Sequence, residues 1–318
     1  MDAWVGHGRR GRQACGVLVN VSPDHDAGCD GAISGHAVPS GMSDTAIVAL
    51  VQTDPGTDKT ANLERTFELI EDAARAGADW IALPETFHLR GPNALKLAQA
   101  EPVPGPLTEA LATAARTHGV WLFAGSFNER TDDPNKTWNT GLVFDPEGRQ
   151  AAAYRKVHLF DVVVDGQVKA MESTRNLPGD RIESVDTPLG TVGLTICYDL
   201  RFPEMFRALA LRGAVATMVP SNFTTPTGRD HWEVLLRARA IENGQYVIAA
   251  ATIGDGDGEG GFKAFGRSLV VDPWGTVIAC APDEIGITYA RIDTARVNKI
   301  RRQIPTLHHL RPDVYARS

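Results

Sequence analysis

The segment TVGLTICYDLRFPE, residues 191–204, decides how the rest of the chain is interpreted. Its first part is apolar and β-branched, which predicts a buried strand over 191–197 that ends on Cys197. Charged residues, an aromatic residue and a proline follow at once. A cysteine that only fills space would fit anywhere along the strand, and a single buried cysteine usually has that role. Ligand sites of α/β folds gather just past the carboxyl ends of strands, so this position predicts a reactive thiol.

Two other predicted strands also end on a residue that can do chemistry. The strand over 80–83 is followed by Pro84 and Glu85, and the strand over 151–156 ends on Lys156. Taken alone, Glu85 could be an ordinary solvated loop residue. Lys156, beside Arg155, could equally be an ordinary surface charge. A carboxylate, an ammonium and a thiol at three strand ends together predict a nucleophilic site.

These residue types suit attack on an amide carbonyl. A carboxylate can take the proton of a thiol, and an ammonium with a backbone N–H can hold the oxyanion that forms. One charge at about 4 Å, with an effective dielectric of about 20, shifts a pKa by roughly three units. Lys156 would lower the pKa of the Cys197 thiol and Glu85 would raise it. Thiol–carboxylate and thiolate–carboxylic acid therefore both remain open as resting states.

Strand and helix patterns alternate from residue 46 to residue 303, with hairpin signals around 145–148 and 188–190. The hairpins exclude a purely parallel barrel and favour mixed sheets covered by helices. No linker interrupts the pattern, so we expect one domain over 44–318. Residues 1–43 lack any sustained periodicity, which predicts a disordered N-terminal extension.

Composition excludes several classes of function. The net charge is −7, so the chain has no overall attraction to nucleic acid or to an anionic membrane. No apolar run approaches the roughly 18 residues of a membrane span. The four cysteines are scattered without zinc-site spacing, which predicts reduced thiols, no metal and a cytoplasmic location.

Three segments resemble the signature segments of the nitrilase superfamily of carbon–nitrogen hydrolases. They are LPETF (83–87), YRKVHLFD (154–161) and CYDLRFPE (197–204). They occur in the family's order, and the similarity extends over 46–315. The resemblance implies a four-layer αββα sandwich.

The resemblance also implies a catalytic triad of Glu85, Lys156 and Cys197. Cys197 forms a thioester, Glu85 moves the protons, and Lys156 holds the oxyanion together with the backbone N–H of Tyr198. The segment MEST (171–174) matches a family segment with a second glutamate, here Glu172. No metal or organic cofactor is implied.

Further segments, at 219–251, 270–277, 290–293 and 311–315, are similar to the Nit branch. Within it they are more similar to deaminated glutathione amidases than to ω-amidases. This implies cleavage of deaminated glutathione to 2-oxoglutarate and Cys-Gly, a metabolite repair reaction. The alternatives are an ω-amidase acting on 2-oxoglutaramate or 2-oxosuccinamate, an N-carbamoyl amino acid hydrolase, and a catalytically inactive scaffold of the same fold.

An anionic substrate needs local cations in a chain of net charge −7. Arg175, Arg201 and Arg229 lie in predicted loops near the reactive strand ends, and Asn222 follows a further strand end; these four residues are the predicted substrate-binding residues. The resemblance implies a homodimer or a higher homo-oligomer, with the dimer contact formed through the helices predicted over 203–211 and 231–243.

Overall fold

A computed structural model describes residues 44–164, 168–259 and 261–315. The extension predicted over 1–43 lies outside these residues. The helices are α1 (Lys59–Arg75), α2 (Asn93–Ala98), α3 (Pro106–His118), α4 (Pro203–Leu211), α5 (Thr225–Asn243), α6 (Thr294–Gln303) and α7 (Pro312–Tyr315). None of the helices in the described ranges is long and apolar enough to cross a membrane.

The strands fall into two large sheets and two short hairpins. In chain order they are β1 (Thr45–Gln52), β2 (Trp80–Ala82), β3 (Trp121–Phe123), β4 (Phe127–Arg130), β5 (Thr137–Phe144), β6 (Gln150–Arg155), β7 (Asp161–Val164), β8 (Val168–Met171), β9 (Glu183–Thr187), β10 (Gly190–Leu194), β11 (Ala216–Met218), β12 (Tyr246–Ala249), β13 (Ile253–Gly254), β14 (Ala264–Phe265), β15 (Leu269–Val271), β16 (Val277–Cys280) and β17 (Gly286–Asp293).

The two large sheets share one plan, a parallel trio with antiparallel strands on both sides. The first has the order β17-β1-β2-β3-β5-β4, with β6 also paired to β5, and its parallel trio is β1, β2 and β3. The second has the order β16-β15-β12-β11-β10-β9, and its trio is β10, β11 and β12. The parallel trios position the site, since ligands bind beyond the carboxyl ends of such strands.

Side chains along each strand point alternately to the two faces of the sheet, and this alternation separates the layers of the fold. Trp80 and Phe123 of the first sheet join Met218 and Ile248 of the second in one buried cluster, so the two sheets pack face to face. The residues that alternate with them, such as Ile81, form a second cluster with α1 and α3 on the outer face of the first sheet. Helices α4 and α5 cover the second sheet. The predicted αββα sandwich is confirmed.

The strand that leads to the cysteine is shorter than predicted. It ends at Leu194 rather than at Cys197, and Cys197 begins a 3₁₀ turn, Cys197–Arg201. The sequence pattern missed this end because Thr195 and Ile196 are also apolar or β-branched. The two residues lie outside the strand, but the N–H and the hydroxyl of Thr195 both donate to the carbonyl of Met218, at 3.2 Å and 2.7 Å.

The helix predicted over 231–243 begins earlier, at Thr225. Thr224 is extended, with φ −68° and ψ 145°, and Pro226 lies in the first turn. Proline suits that position because its fixed φ matches the helix and its missing N–H has no intrahelical acceptor there. Arg229 therefore lies in the first turns of α5, not in the loop where the sequence suggested it.

Candidate active site

Glu85 lies where the chain leaves β2 and passes the end of β3. Gly125 has φ +52°, and a Cβ on it would lie 2.0 Å from the carbonyl oxygen of Pro84. Only glycine allows this close approach together with a left-handed backbone. The hydroxyl of Thr252 donates to the Glu85 carbonyl oxygen at 2.7 Å. The backbone that carries Glu85 is thus held by both sheets.

Cys197 lies at the corresponding position of the second sheet, in an unusual backbone conformation. Its φ is +49°, which is uncommon for a residue with a side chain and is typical of functional sites. Its N–H donates to the carbonyl of Pro220 at 2.9 Å. This bond ties the turn to the end of the neighbouring strand β11 and fixes the direction of the thiol.

A buried carboxylate, Asp199, stabilises the turn that follows Cys197. One of its oxygens accepts hydrogen bonds from the Ile196 N–H at 2.8 Å and the Tyr154 hydroxyl at 2.7 Å. The other accepts from the His158 N–H at 3.1 Å and contacts His158 Nδ1 at 2.7 Å. Tyr154 and His158 flank Lys156, so Asp199 fixes the cysteine turn to the segment that carries the lysine.

Lys156 lies between two buried carboxylates. Its Nζ is 3.2 Å from Glu85 Oε1 and 2.9 Å from Glu172 Oε2. Glu85 also accepts from Asn139 Nδ2 at 2.8 Å and from the Asn222 N–H at 2.7 Å. We refer to Glu85, Lys156, Glu172 and Cys197 as the catalytic cluster, since the structure brings all four into one cavity.

The charges of the cluster determine its protonation. Burial raises the pKa of the Cys197 thiol well above its usual value; Glu85 raises it further and Lys156 only partly offsets this. Burial alone would lower the pKa of Lys156, but Glu172 and Glu85 raise it above its usual value. Burial would raise the pKa of Glu172, and Lys156 reverses this so that the net shift is downward. Of the two resting states left open by the sequence, these shifts favour the neutral thiol.

Comparison with known proteins agrees with this geometry. The sequence profile of carbon–nitrogen hydrolases matches residues 47–302. The chain belongs to the carbon–nitrogen hydrolase family. Over 285 residues, the hydrolase is 43% identical to the deaminated glutathione amidase of Homo sapiens, covering 88% of this chain and 86% of the relative. It is 40% identical to the omega-amidase NIT2 of Mus musculus over 268 residues, covering 84% and 96%.

Solved structures give the same assignment. The hydrolase superposes on the NitFhit protein of C. elegans with a TM-score of 0.78 at 37% identity, covering 85% of this chain and 66%, just under two thirds, of that one. A mutant of the amidase from Nesterenkonia sp. AN1 matches with a TM-score of 0.68 at 27% identity, covering 82% and 98%. That structure contains the product of Michael addition of acrylamide at the active-site cysteine.

The hydrolase cavity has a volume of about 80 Å³. Of the predicted substrate-binding residues, Arg175, Arg201 and Asn222 line it. Arg229 does not; it lines a separate groove, is 72% exposed and lies 3.5 Å from Asp230. The Tyr198 N–H, predicted for the oxyanion, makes no hydrogen bond to any part of the chain that the structure describes.

The polar residues of the cavity that sequence reasoning missed include Asn139, Asn128 and Lys96. Asn139 and Asn128 carried a signal, because each is a buried amide within a strand. Buried polar side chains need partners, and the side-chain oxygen of each has none in the described chain, so both oxygens are left for a ligand. Lys96 gave no such signal, since it lies on the short helix α2.

Proposed function

We propose that this hydrolase is an amidase that forms a thioester on Cys197. The observation that carries the proposal is the arrangement of the cluster. A thiol with a raised pKa shares a cavity with the Glu85 carboxylate, and an ammonium lies between two carboxylates. Such a site can deliver a thiolate only when a base takes the proton, which ties attack to proton transfer.

In the first half of the reaction, Glu85 accepts the Cys197 proton while the sulfur attacks the amide carbonyl carbon. The carbonyl oxygen becomes an oxyanion, held by the Lys156 ammonium and the Tyr198 N–H. When the intermediate collapses, the C–N bond breaks, and Glu85 gives its proton to the leaving nitrogen. The acyl group remains on Cys197 as a thioester, and the amine departs.

In the second half, Glu85 takes a proton from water, and the hydroxyl attacks the thioester carbon. The C–S bond breaks, the acid leaves, and the proton returns to sulfur. Glu172 takes no part in proton transfer in this scheme. It holds Lys156 through the bond at 2.9 Å and is itself held by the Phe160 N–H at 2.7 Å, so the oxyanion donor does not have to reorganise.

We propose deaminated glutathione as the substrate, with 2-oxoglutarate and Cys-Gly as products in a cytoplasmic repair reaction. The 43% identity to the human deaminated glutathione amidase supports this choice. Arg175 and Arg201 in the cavity suit a substrate with carboxylates. The second candidate is an ω-amidase reaction on 2-oxoglutaramate, which the 40% identity to the mouse enzyme supports.

The deciding experiment compares kcat/KM of the purified protein for the two oxo-acid amides. A ratio in favour of deaminated glutathione is expected. A ratio in favour of 2-oxoglutaramate would make this an ω-amidase. Turnover of N-carbamoyl amino acids alone would reject both substrates and leave the thioester chemistry intact. If no amide is hydrolysed, the remaining interpretation is a catalytically inactive scaffold of the same fold.

We also propose that two copies associate through α4 and α5. Two apolar side chains of α5, Val234 and Ile241, are 67% and 52% exposed and lie seven residues apart, on the same face of the helix, where a second copy could cover them. Analytical ultracentrifugation should give the mass of a dimer, and Val234→Glu should shift it toward the monomer. A monomeric wild type would contradict this proposal without affecting the chemistry.

A further inference from the structure

Two cations in the cavity make no hydrogen bond or ion pair with the described residues. Lys96 and Arg175, which we call the cation pair, are both half-buried and line the same cavity as the catalytic cluster. Neither side chain makes a hydrogen bond or an ion pair with any residue in the described parts of the chain. Cationic side chains that lose part of their hydration normally gain a protein partner in exchange.

The scaffold fixes where both cations lie. Lys96 is on α2, which packs against strand β4. Arg175 follows the 3₁₀ turn that begins with Glu172, and its N–H donates to the Glu172 carbonyl at 3.0 Å. Its own carbonyl accepts from the Thr137 N–H at 3.0 Å, at the start of β5. The pair therefore lies beside the residue that positions Lys156.

The surroundings of Lys96 disfavour its charged form, and a bound anion would stabilise that form. Burial lowers its pKa to about 8, and the charges of Arg175 and Arg90 act in the same direction. Glu85 and Glu172 act in the opposite direction but do not restore the ordinary value. A carboxylate bound between Lys96 and Arg175 would relieve their mutual repulsion and stabilise the ammonium.

Arg201, the cation of the cavity that belongs to neither the catalytic cluster nor the cation pair, already has contacts within the protein. Its guanidinium lies over the rings of Tyr198 and Phe223 and is 3.3 Å from His231 Nδ1. The acyl part of the substrate stays attached to Cys197 as a thioester, whereas the amine must leave. A receptor with two free charges suits the part that stays, because it holds the thioester in place while water attacks.

We propose that Lys96 and Arg175 together bind the carboxylate of the acyl part of the substrate. The proposal rests on the proposed function, since it assumes an acyl group that carries a carboxylate. It adds Lys96 as a residue that determines specificity. Deaminated glutathione and 2-oxoglutaramate share this acyl group, so both should depend on the pair equally.

The test uses Lys96→Met in the full chain, with deaminated glutathione, 2-oxoglutaramate and pentanoyl-Cys-Gly as substrates. Pentanoyl-Cys-Gly keeps the leaving group but has a neutral acyl part. We expect KM to rise by about tenfold or more for both oxo-acid amides, and far less for pentanoyl-Cys-Gly. Lys299→Met, which removes an exposed lysine of α6, is the matched control and should change nothing.

The charge-conserving variant Lys96→Arg gives a second readout. In the wild type, KM for an oxo-acid amide should rise above about pH 8, because Lys96 loses its proton there. In Lys96→Arg the guanidinium keeps its charge, so this rise should disappear. The charged and titratable groups around Lys96 are Arg175, Arg90, Glu85, Glu172 and His88. Pentanoyl-Cys-Gly, run in parallel, reports the titration of the other groups in the site.

Three results would overturn the inference. They are an equal loss on all three substrates, an effect confined to deaminated glutathione, and no effect. The second would assign the pair to the carboxylate of the leaving group. Failure of the proposed function is seen separately, as a wild type that hydrolyses only pentanoyl-Cys-Gly. In that case glutarate is tested as a competitive inhibitor: an inhibition constant at least about tenfold weaker in Lys96→Met supports the pair, and an unchanged constant rejects it.

Discussion

The catalytic cluster and the cation pair lie in one cavity, but their charges are balanced in different ways. In the cluster, Lys156 lies between two carboxylates, and both carboxylates accept further hydrogen bonds from the protein. In the pair, neither the Lys96 nor the Arg175 side chain makes a hydrogen bond or an ion pair with a described residue. The first region is complete without substrate, whereas the second is completed by it.

This difference determines how each region should respond to substitution. Groups that are already ordered act on the transition state, so their loss lowers kcat for every amide. Cations that form their ion pair only with a bound ligand act on binding. Their loss therefore raises KM for amides that carry a negative charge. Variants of the two regions should therefore separate kcat effects from KM effects.

The largest effect is expected at the nucleophile. Cys197→Ala should lower kcat by about 10⁴-fold or more on every amide, because no other group in the cluster can form the thioester. Cys280→Ala, at the exposed cysteine, is the matched control and should keep wild-type rates. Substantial turnover by Cys197→Ala with normal circular dichroism would refute the mechanism.

The next effect concerns the charge at the centre of the cluster. Lys156→Met should lower kcat by about a hundredfold or more, the scale of losing one oxyanion donor. Glu172→Gln should give a smaller loss, since an amide can still accept from the ammonium. Both should act alike on charged and neutral amides in steady-state assays. A loss that appears in KM of anionic amides only would move Lys156 from the cluster to the binding residues.

Asp199→Asn tests the connection between the two strand ends. Asp199 is 0% exposed and accepts on both oxygens, so an amide leaves at least one buried donor unpaired. The free energy of unfolding in urea should fall by about 2 kcal/mol. Asp186→Asn, at an exposed acceptor of Thr191, should change it by less than about 0.5 kcal/mol. Equal effects of the two variants would contradict the anchoring role.

The smallest effect is expected at Arg229. Its substitution tests whether the substrate extends beyond the cavity. Arg229→Met should change KM for deaminated glutathione by less than about twofold, because the side chain is exposed and lies outside the cavity. Arg175→Met should raise the same KM by about tenfold or more. A reversed order would show that the substrate extends into the groove beside α5.

The three residues of the triad could be found from the sequence because each follows a strand with a clear pattern. Glu85, Lys156 and Cys197 lie at strand ends in order, and the resemblance added Glu172. In the sandwich these strand ends lie side by side, so residues that are far apart in the sequence come close together in space. The exact end of the cysteine strand was wrong because the pattern of Thr195 and Ile196 does not reveal where a ladder stops.

The substrate-binding residues were less accessible to sequence reasoning. Arg229 was misplaced because the start of α5 depends on the extended Thr224 and on Pro226, not on apolar periodicity. Lys96 was missed because α2 has only 6 residues and no side-chain cap, too short for a helical period to appear. Its role depends on which side chains lack partners, and that is a property of the folded cavity.

The most direct test of the central claim is the covalent intermediate itself. The wild type is mixed with deaminated glutathione, quenched in acid during turnover, digested and analysed by mass spectrometry. We predict that the peptide containing Cys197 carries the 2-oxoglutaryl group, and that hydroxylamine, which cleaves thioesters, removes it. An acyl group on any other residue, or turnover with no acylated Cys197 under conditions that trap a thioester, would contradict the account.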